Sequence, residues 1–344
     1  MLDTKYMSDF LEEILAIGST AGDTYDAMER CREEFEKYDM ETEYTKKGAI
    51  IGYLKGEDDS KQRLISAHVD TIGAMVKEIK DNGRLKISLI GGYSFNTIEG
   101  ENLIVKTCEG KTYTGTYLPV KASIHVFSDV VKEELRTEES MEIRLDEDVK
   151  TAEDTLALGI RVGDFVFFDT RTVVLPNGYI KSRYLDDKAC IAMVFGAIKY
   201  MKENGLKPAH TIQFYISNYE EIGHGVSQFA PEVEEHLALD IGTVGPGHTS
   251  DEKKVTVLAK DSRTPYDFRF RNRLATLAKK AGIGYVVDVH FRYGSDASIS
   301  ALAGQEPNFA CIGPGVEATH HYERTHIDGI ENGAKLIVEY IREK

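Results

Sequence analysis

The chain has 344 residues, 42% of them hydrophobic, with 30 glycines; this is more apolar material than one ordinary core accommodates and enough for two. Its 57 acidic against 42 basic side chains leave a formal net charge of −15, which argues against nucleic acid or an anionic membrane as partner. Cys31, Cys108, Cys190 and Cys311 are scattered without a CxxC pair and read as buried small hydrophobes, while the lack of a basic-then-apolar leader or a long apolar run predicts a soluble, cytoplasmic protein.

Ser8 is a candidate helix cap, with Phe10, Leu11, Ile14, Leu15 and Ile17 following at helical spacing until Gly18. A second helix is expected from near Thr24, with Met28, Cys31, Phe35 and Tyr38 on its buried face and Glu29, Arg30, Glu33 and Glu34 on a solvated one. From 43 to 54 the pattern turns strand-like, and after the polar turn 56–60 a short buried strand over 63–67 ends at His68. Between about 69 and 177, short Val/Ile/Thr/Tyr-rich segments broken by glycines such as Gly83, Gly100 and Gly110 predict a small β-rich domain, 72–176, inserted into a larger one made of 1–71 and 177–344. The charged stretch 132–154 reads as a solvated loop or short helix within it.

Past Asn177-Gly178 the spacing predicts a helix over 187–202, strands over 211–217 and 237–241, a helix over 264–281, a strand over 285–290, a helix over 296–302, a strand over 309–312 and a helix over 330–342. This alternation implies an α/β fold whose sheet is covered by helices on both faces, with ligands bound beyond the carboxyl ends of the strands.

Histidine and acidic segments fall at those strand ends. In Ala67-His68-Val69-Asp70 the two polar residues share a face at period two, so Asp70 is placed to accept the second ring N–H of a ligating His68. Asp186-Asp187 opens a helix, where a carboxylate either caps or, through both oxygens, bridges two cations. Glu220-Glu221 follows an apolar strand, and two adjacent buried carboxylates repel unless a cation intervenes; one glutamate can bind metal while its neighbour takes a proton from water. Asp240 sits in an apolar strand and needs a partner, and 319–326 carries three of the ten histidines. Each segment alone also has a bland reading as a cap, turn or core residue. Together they form the imidazole and hard-oxygen set of a dinuclear hydrolytic site.

These motifs, in this order, resemble the TET-type dinuclear metallo-aminopeptidases, the glutamyl-aminopeptidase-like family. The resemblance spans nearly the whole chain through Ser66-Ala67-His68-Val69-Asp70, Val162-Gly163-Asp164-Phe165-Val166, Leu185-Asp186-Asp187-Lys188, Glu220-Glu221-Ile222-Gly223 and Gly294-Ser295-Asp296-Ala297. It implies a zinc-peptidase-like catalytic domain with a mixed sheet, and two divalent cations, zinc or cobalt. By resemblance the metal ligands are His68, Asp186, Glu221, Asp240 and His320, with Asp186 bridging and the Asp186–Asp187 peptide cis. Glu220 is the general base and Asp70 the residue that orients His68. The family's usual acidic residue after HxD is Thr71 here, its terminal histidine is followed by His321-Tyr322 rather than serine and proline, and Asn218-Tyr219 precedes the glutamates.

The expected reaction is hydrolysis of an N-terminal peptide bond, the partner being a peptide. The inserted domain is expected to mediate homo-oligomer contacts, dimer-based or a tetrahedral dodecamer. A related two-metal deacylase or carboxypeptidase, a glycosidase with two carboxylates and no metal, and a binding module without activity are the alternatives.

Overall fold

A computed structural model describes residues 1–344. It divides into two compact units, Met1–Asp70 with Arg171–Lys344, and Thr71–Thr170.

The larger unit opens with two amphipathic helices. The first, Thr4–Leu15, starts earlier than Ser8 because the Asp3 side chain accepts the Tyr6 N–H at 3.0 Å and Met7 joins Phe10, Leu11 and Ile14 on the buried face. The buried Lys188 amine, whose pKa burial lowers to about 7, donates to Ile14 O in the last turn at 2.9 Å and to Ile17 O just past the helix at 2.7 Å. The second helix, Tyr25–Lys37, begins after Thr24 as the pattern requires. Arg30 and Glu34 are not on a solvated face, however. Both are buried, Arg30 bridging Glu34 at 2.6 Å and Glu13 at 2.8 Å while Tyr6 donates to Glu34, because the first helix lies across them. Long side chains with mutual partners can be buried where isolated ones cannot. Cys108 is likewise exposed, whereas Cys31, Cys190 and Cys311 are buried.

A 12-stranded mixed sheet forms the centre. Its middle strands, His210–Ser217, Asp58–His68, Val233–Leu239 and Asn308–Glu317, run parallel, and this common direction sends their carboxyl ends to one edge. Asp58–Ser60 belong to the second of these strands rather than to a turn. Antiparallel strands flank them: Glu41–Tyr44 and Ile50–Leu54 on one side, Glu323–His326, Tyr179–Ser182 and Val173–Val174 on the other. Val255–Lys260 adds antiparallel to Asn308–Glu317 and parallel to Tyr285–Val289.

The helix Leu185–Glu203 is apolar on every side and almost wholly buried, with Asp186 and Asp187 departing from helical geometry at its start. Phe195 on this helix meets Phe10 edge-on at 5.0 Å and Phe35 at 4.8 Å, joining three helices in one aromatic contact. The helix Phe268–Lys280 begins at Asp267, later than the apolar pattern predicts, because Pro265 holds residue 264 out of helical geometry. The last helix, Ile327–Arg342, starts at His326, whose ring accepts the Asp328 N–H.

The smaller unit is a closed β-barrel with the circular order Gly73–Ile79, Leu85–Ile90, Met141–Leu145, Thr112–Pro119, Asn102–Lys106, Phe165–Phe168. The charged stretch 132–154 therefore contains a barrel strand. Met141, Ile143 and Leu145 alternate inward at period two, and the buried Glu142 is held by Arg84 at 2.6 Å and by Lys80. No helix of the chain is long and apolar enough to cross a membrane.

Phe195→Ala removes the shared ring at a fully buried position and is expected to cost about 3–5 kcal/mol, measured as a lowered urea midpoint for the larger unit.

Candidate metal centre and active site

The parallel strands deliver the site. Ser217 is in register with His68, and Asp240 lies one residue beyond Leu239, which pairs with Ile312. Gly313 makes room for the Asp240 backbone: a Cβ there would lie 2.0 Å from Asp240 O. Asp186 arrives from the non-helical first turn of the central helix, next to a cis peptide to Asp187.

His68 Nε2 lies 3.4 Å from Asp186 Oδ1 and 3.9 Å from Glu220 Oε2. On the other side of the same carboxylate, His320 Nε2 is 3.6 Å from Asp186 Oδ2 and 3.3 Å from Glu221 Oε2. Ligand-type atoms of His68, Asp186 and Asp240 lie within 4.8 Å of one another, and so do those of Asp186, Glu221 and His320. Two sets of three donors thus share Asp186, with one oxygen directed to each histidine. Donors spaced at 3.3–3.6 Å match the edge of a tetrahedron about 3.4 Å long whose centre lies about 2.1 Å from each ligand. The residues present fit a pair of divalent cations.

Electrostatics point the same way. Burial pushes Glu220, Asp240 and Asp187 well above the usual carboxylate range, and neighbouring carboxylates add to it. Burial likewise raises Glu221 to about 7, Asp70 to about 6 and Glu323 to about 8. Burial by itself would lower the His68 pKa, but Asp186, Asp187, Asp70 and Glu220 surround the ring and raise it well above its ordinary value. For Asp186 burial is also overcome, here by His320 and His68, which hold it well below the usual range. Asp187 Oδ1 is buried without a hydrogen-bond partner. So many acids in one buried place repel one another unless positive charge is supplied.

Neighbouring groups hold these side chains in place. His68 Nδ1 is 2.9 Å from the Asp70 carbonyl oxygen and 3.6 Å from its carboxylate, so the backbone carbonyl rather than the expected carboxylate is the ring's partner, the carboxylate being turned to other donors. That carboxylate accepts the backbone N–H groups of Glu220 at 3.1 Å and Glu221 at 3.2 Å, so Asp70 fixes the glutamate loop as well as the histidine. Glu323, to which the sequence reading assigned no role, accepts Asp186 N at 3.2 Å and His320 N at 3.1 Å, tying the shared carboxylate to the terminal histidine. A glutamate three residues after a candidate ligand was the available signal. Asp296 accepts Val226 N at 2.9 Å and the Ser217 hydroxyl. Gly225 allows this approach, since a Cβ would fall 2.0 Å from Asp296 Oδ1.

Of the neighbouring histidines, His320 faces the carboxylates. His321 is exposed, its Nδ1 accepting the Tyr322 N–H at 2.7 Å, and His326 is the buried cap of the last helix. Tyr184, Tyr219 and His320 have φ of 66°, 68° and 61°, left-handed values that cost a non-glycine residue about 1–2 kcal/mol each. All three lie at or within two residues of the charged cluster, where surrounding contacts hold them.

A mixed α/β fold with this donor set defines the metallopeptidase class. The pattern of the M42 glutamyl aminopeptidases matches residues 48–336, and the chain belongs to that family. It is 43% identical to the putative aminopeptidase YhfE of Bacillus subtilis over 343 residues, 99% of each chain. The TET aminopeptidase of a marine-sediment Thaumarchaeota archaeon has the same fold, with a TM-score of 0.89 at 21% identity, covering 98% of this chain and 96% of that one. The TET1 peptidase of Pyrococcus horikoshii, which assembles into a tetrahedron or a large octahedral shell, superposes with a TM-score of 0.86 at 22% identity over 98% of this chain and all of the other. The chain is therefore a hydrolase, an aminopeptidase.

Asp70→Asn keeps the size of the side chain but presents one acceptor oxygen to two backbone donors. A loss of about 10–100-fold in kcat is expected, read by steady-state kinetics beside a circular dichroism spectrum unchanged from wild type.

Proposed function

We propose that this aminopeptidase works with two divalent cations, zinc or cobalt, one held by His68, Asp186 and Asp240 and the other by Asp186, Glu221 and His320. The observation that carries this reading is the single carboxylate of Asp186, whose two oxygens are directed to the two histidines. When bound, the cations lower the pKa of water and polarise the scissile carbonyl.

Glu220 is the proton-transferring residue. Its side chain is 11% exposed, stands beside His68 at 3.9 Å, and belongs to neither set of three donors. It takes a proton from the attacking water and delivers it to the leaving amine, so the carboxylate ends the cycle as it began. Asp70 positions both His68 and the Glu220 backbone. The free α-amino group of a peptide is attracted to the excess carboxylates at the site, which favours cleavage at the first peptide bond. His68, Asp186 and Asp240 carry ligation rather than proton transfer because their polar atoms face one another.

Glu220→Gln is expected to keep both cations by elemental analysis while kcat on aminoacyl-p-nitroanilides falls about 10²–10⁴-fold. An unchanged kcat removes Glu220 from this role, and wild-type activity that persists after chelation and verified metal removal removes the cations.

The reading extends to assembly. The β-barrel unit, Thr71–Thr170, serves as an oligomerisation domain of a cytoplasmic homo-oligomer, dimer-based and up to a tetrahedral dodecamer, as the fold shared with self-assembling TET1 suggests; the expected boundary at 176 moves back to 170 because Val173–Val174 pairs in the large sheet. Light scattering behind size-exclusion chromatography is expected to give a mass well above the 38.5 kDa of one chain; a stable monomer overturns it.

A further inference from the structure

A third group of metal-type donors lies outside the site described above. His248 is on the loop that follows Gly242–Val244, while Asp288 and His290 are on or just past the strand Tyr285–Val289. One ring nitrogen from each histidine and a carboxylate oxygen of Asp288 lie within 4.8 Å of one another. His248 Nδ1 and His290 Nε2 each stand 3.5 Å from the same Asp288 oxygen. Neither contact is a hydrogen bond: His248 Nδ1 and both ring nitrogens of His290 are buried without a partner.

This is an unusual state for an imidazole. His290 is 1% exposed, and a neutral ring carries one donor and one acceptor, each of which is unfavourable when buried unsatisfied. Its faces are occupied by aromatic groups: Tyr293 lies edge-on at 4.9 Å and His248 edge-on at 5.0 Å. His248 in turn stacks on Phe291 at 5.5 Å. These contacts set ring orientation without using a ring nitrogen. Asp288 is oriented too, accepting Thr249 N at 3.0 Å, Ser250 N at 2.9 Å and the Ser250 hydroxyl at 2.7 Å on Oδ2, and Val289 N at 2.7 Å on Oδ1. Hydrogen-bonded carboxylates of this kind are common among metal ligands. The 3.5 Å nitrogen-to-oxygen separations match the tetrahedral edge of about 3.4 Å expected around a first-row cation.

We propose that His248, Asp288 and His290 form an additional binding site for a first-row transition cation, independent of the catalytic pair. Two imidazoles and one carboxylate suit zinc, nickel or copper and disfavour calcium and magnesium, which take all-oxygen shells. Three protein donors leave a coordination position open. The His248 side chain, 12% exposed, is the route of entry. A bound ion would satisfy two of the three orphaned nitrogens, His248 Nδ1 and His290 Nε2, the pair that stands beside Asp288, and pin the 245–250 loop to the strand Tyr285–Val289.

The test is metal stoichiometry by difference. Wild-type protein, His248→Ala and His290→Gln are stripped with chelator, equilibrated with micromolar Zn²⁺ or Ni²⁺, desalted and analysed by plasma mass spectrometry. Each variant is expected to hold one ion per chain fewer than wild type. Because the readout is a difference, it stands whether or not the catalytic site holds two ions. Equal metal content in wild type and folded variants overturns the proposal. Should His290→Gln fail to fold, His248→Ala on the loop and an anomalous difference map of wild-type crystals soaked in Zn²⁺ decide: density among the three side chains supports the site, and its absence refutes it.

Discussion

Charge crowding beneath one edge of the sheet is the constraint around which the larger unit is organised. Asp186, Asp187, Glu220, Glu221, Asp240 and Glu323 converge on a buried region where His68 and His320 are the nearby imidazoles. Burial of ionised acids is strongly unfavourable without compensating charge. The fold accepts this because rigid elements bring the acids there. Four parallel strands end together, and an almost wholly buried helix starts at the same point. The proposed two-cation reading is the simplest way to balance that charge, with Asp186, Glu221 and Asp240 as ligands and Glu220 as the proton carrier.

Much of the remaining structure near this region holds it in place. Asp70 reaches from the HxD segment to the backbone of Glu220 and Glu221, and Glu323 reaches from the last strand to the backbone of Asp186 and His320. These two carboxylates bind backbone donors rather than one another's side chains, so they set the relative positions of segments that are far apart in sequence. The left-handed conformations at Tyr184, Tyr219 and His320 persist because such contacts over-determine them. Stability is thus given up locally for placement, which is the usual signature of a site built for chemistry.

The smaller unit follows a different logic. A closed barrel has no exposed sheet edges, and its charged segment around Glu142 is secured by Lys80 and Arg84. Nothing in its composition resembles the histidine and acid set of the larger unit. A division in which the larger unit carries the reaction and the barrel carries association is consistent with that contrast.

Hydrophobic periodicity and turn residues were enough to read an α/β unit with a β-rich insertion, because period 3.6 and period 2 are local properties of the chain. The chemically relevant segments were also legible, since histidines and acids at the ends of apolar strands are conspicuous. Details set by neighbours were not. The burial of Arg30 and Glu34 depends on a helix packed across them, and the strand Met141–Leu145 lay hidden within a charged stretch because its partners supply the barrel. The tertiary structure alone decided that Glu323 ties Asp186 to His320, the histidine that the resemblance had named, and that His248 meets Asp288 and His290. Sequence order carries residue chemistry and local period, whereas convergence of side chains from different strands is a matter of register and direction, which emerge only when the sheet assembles.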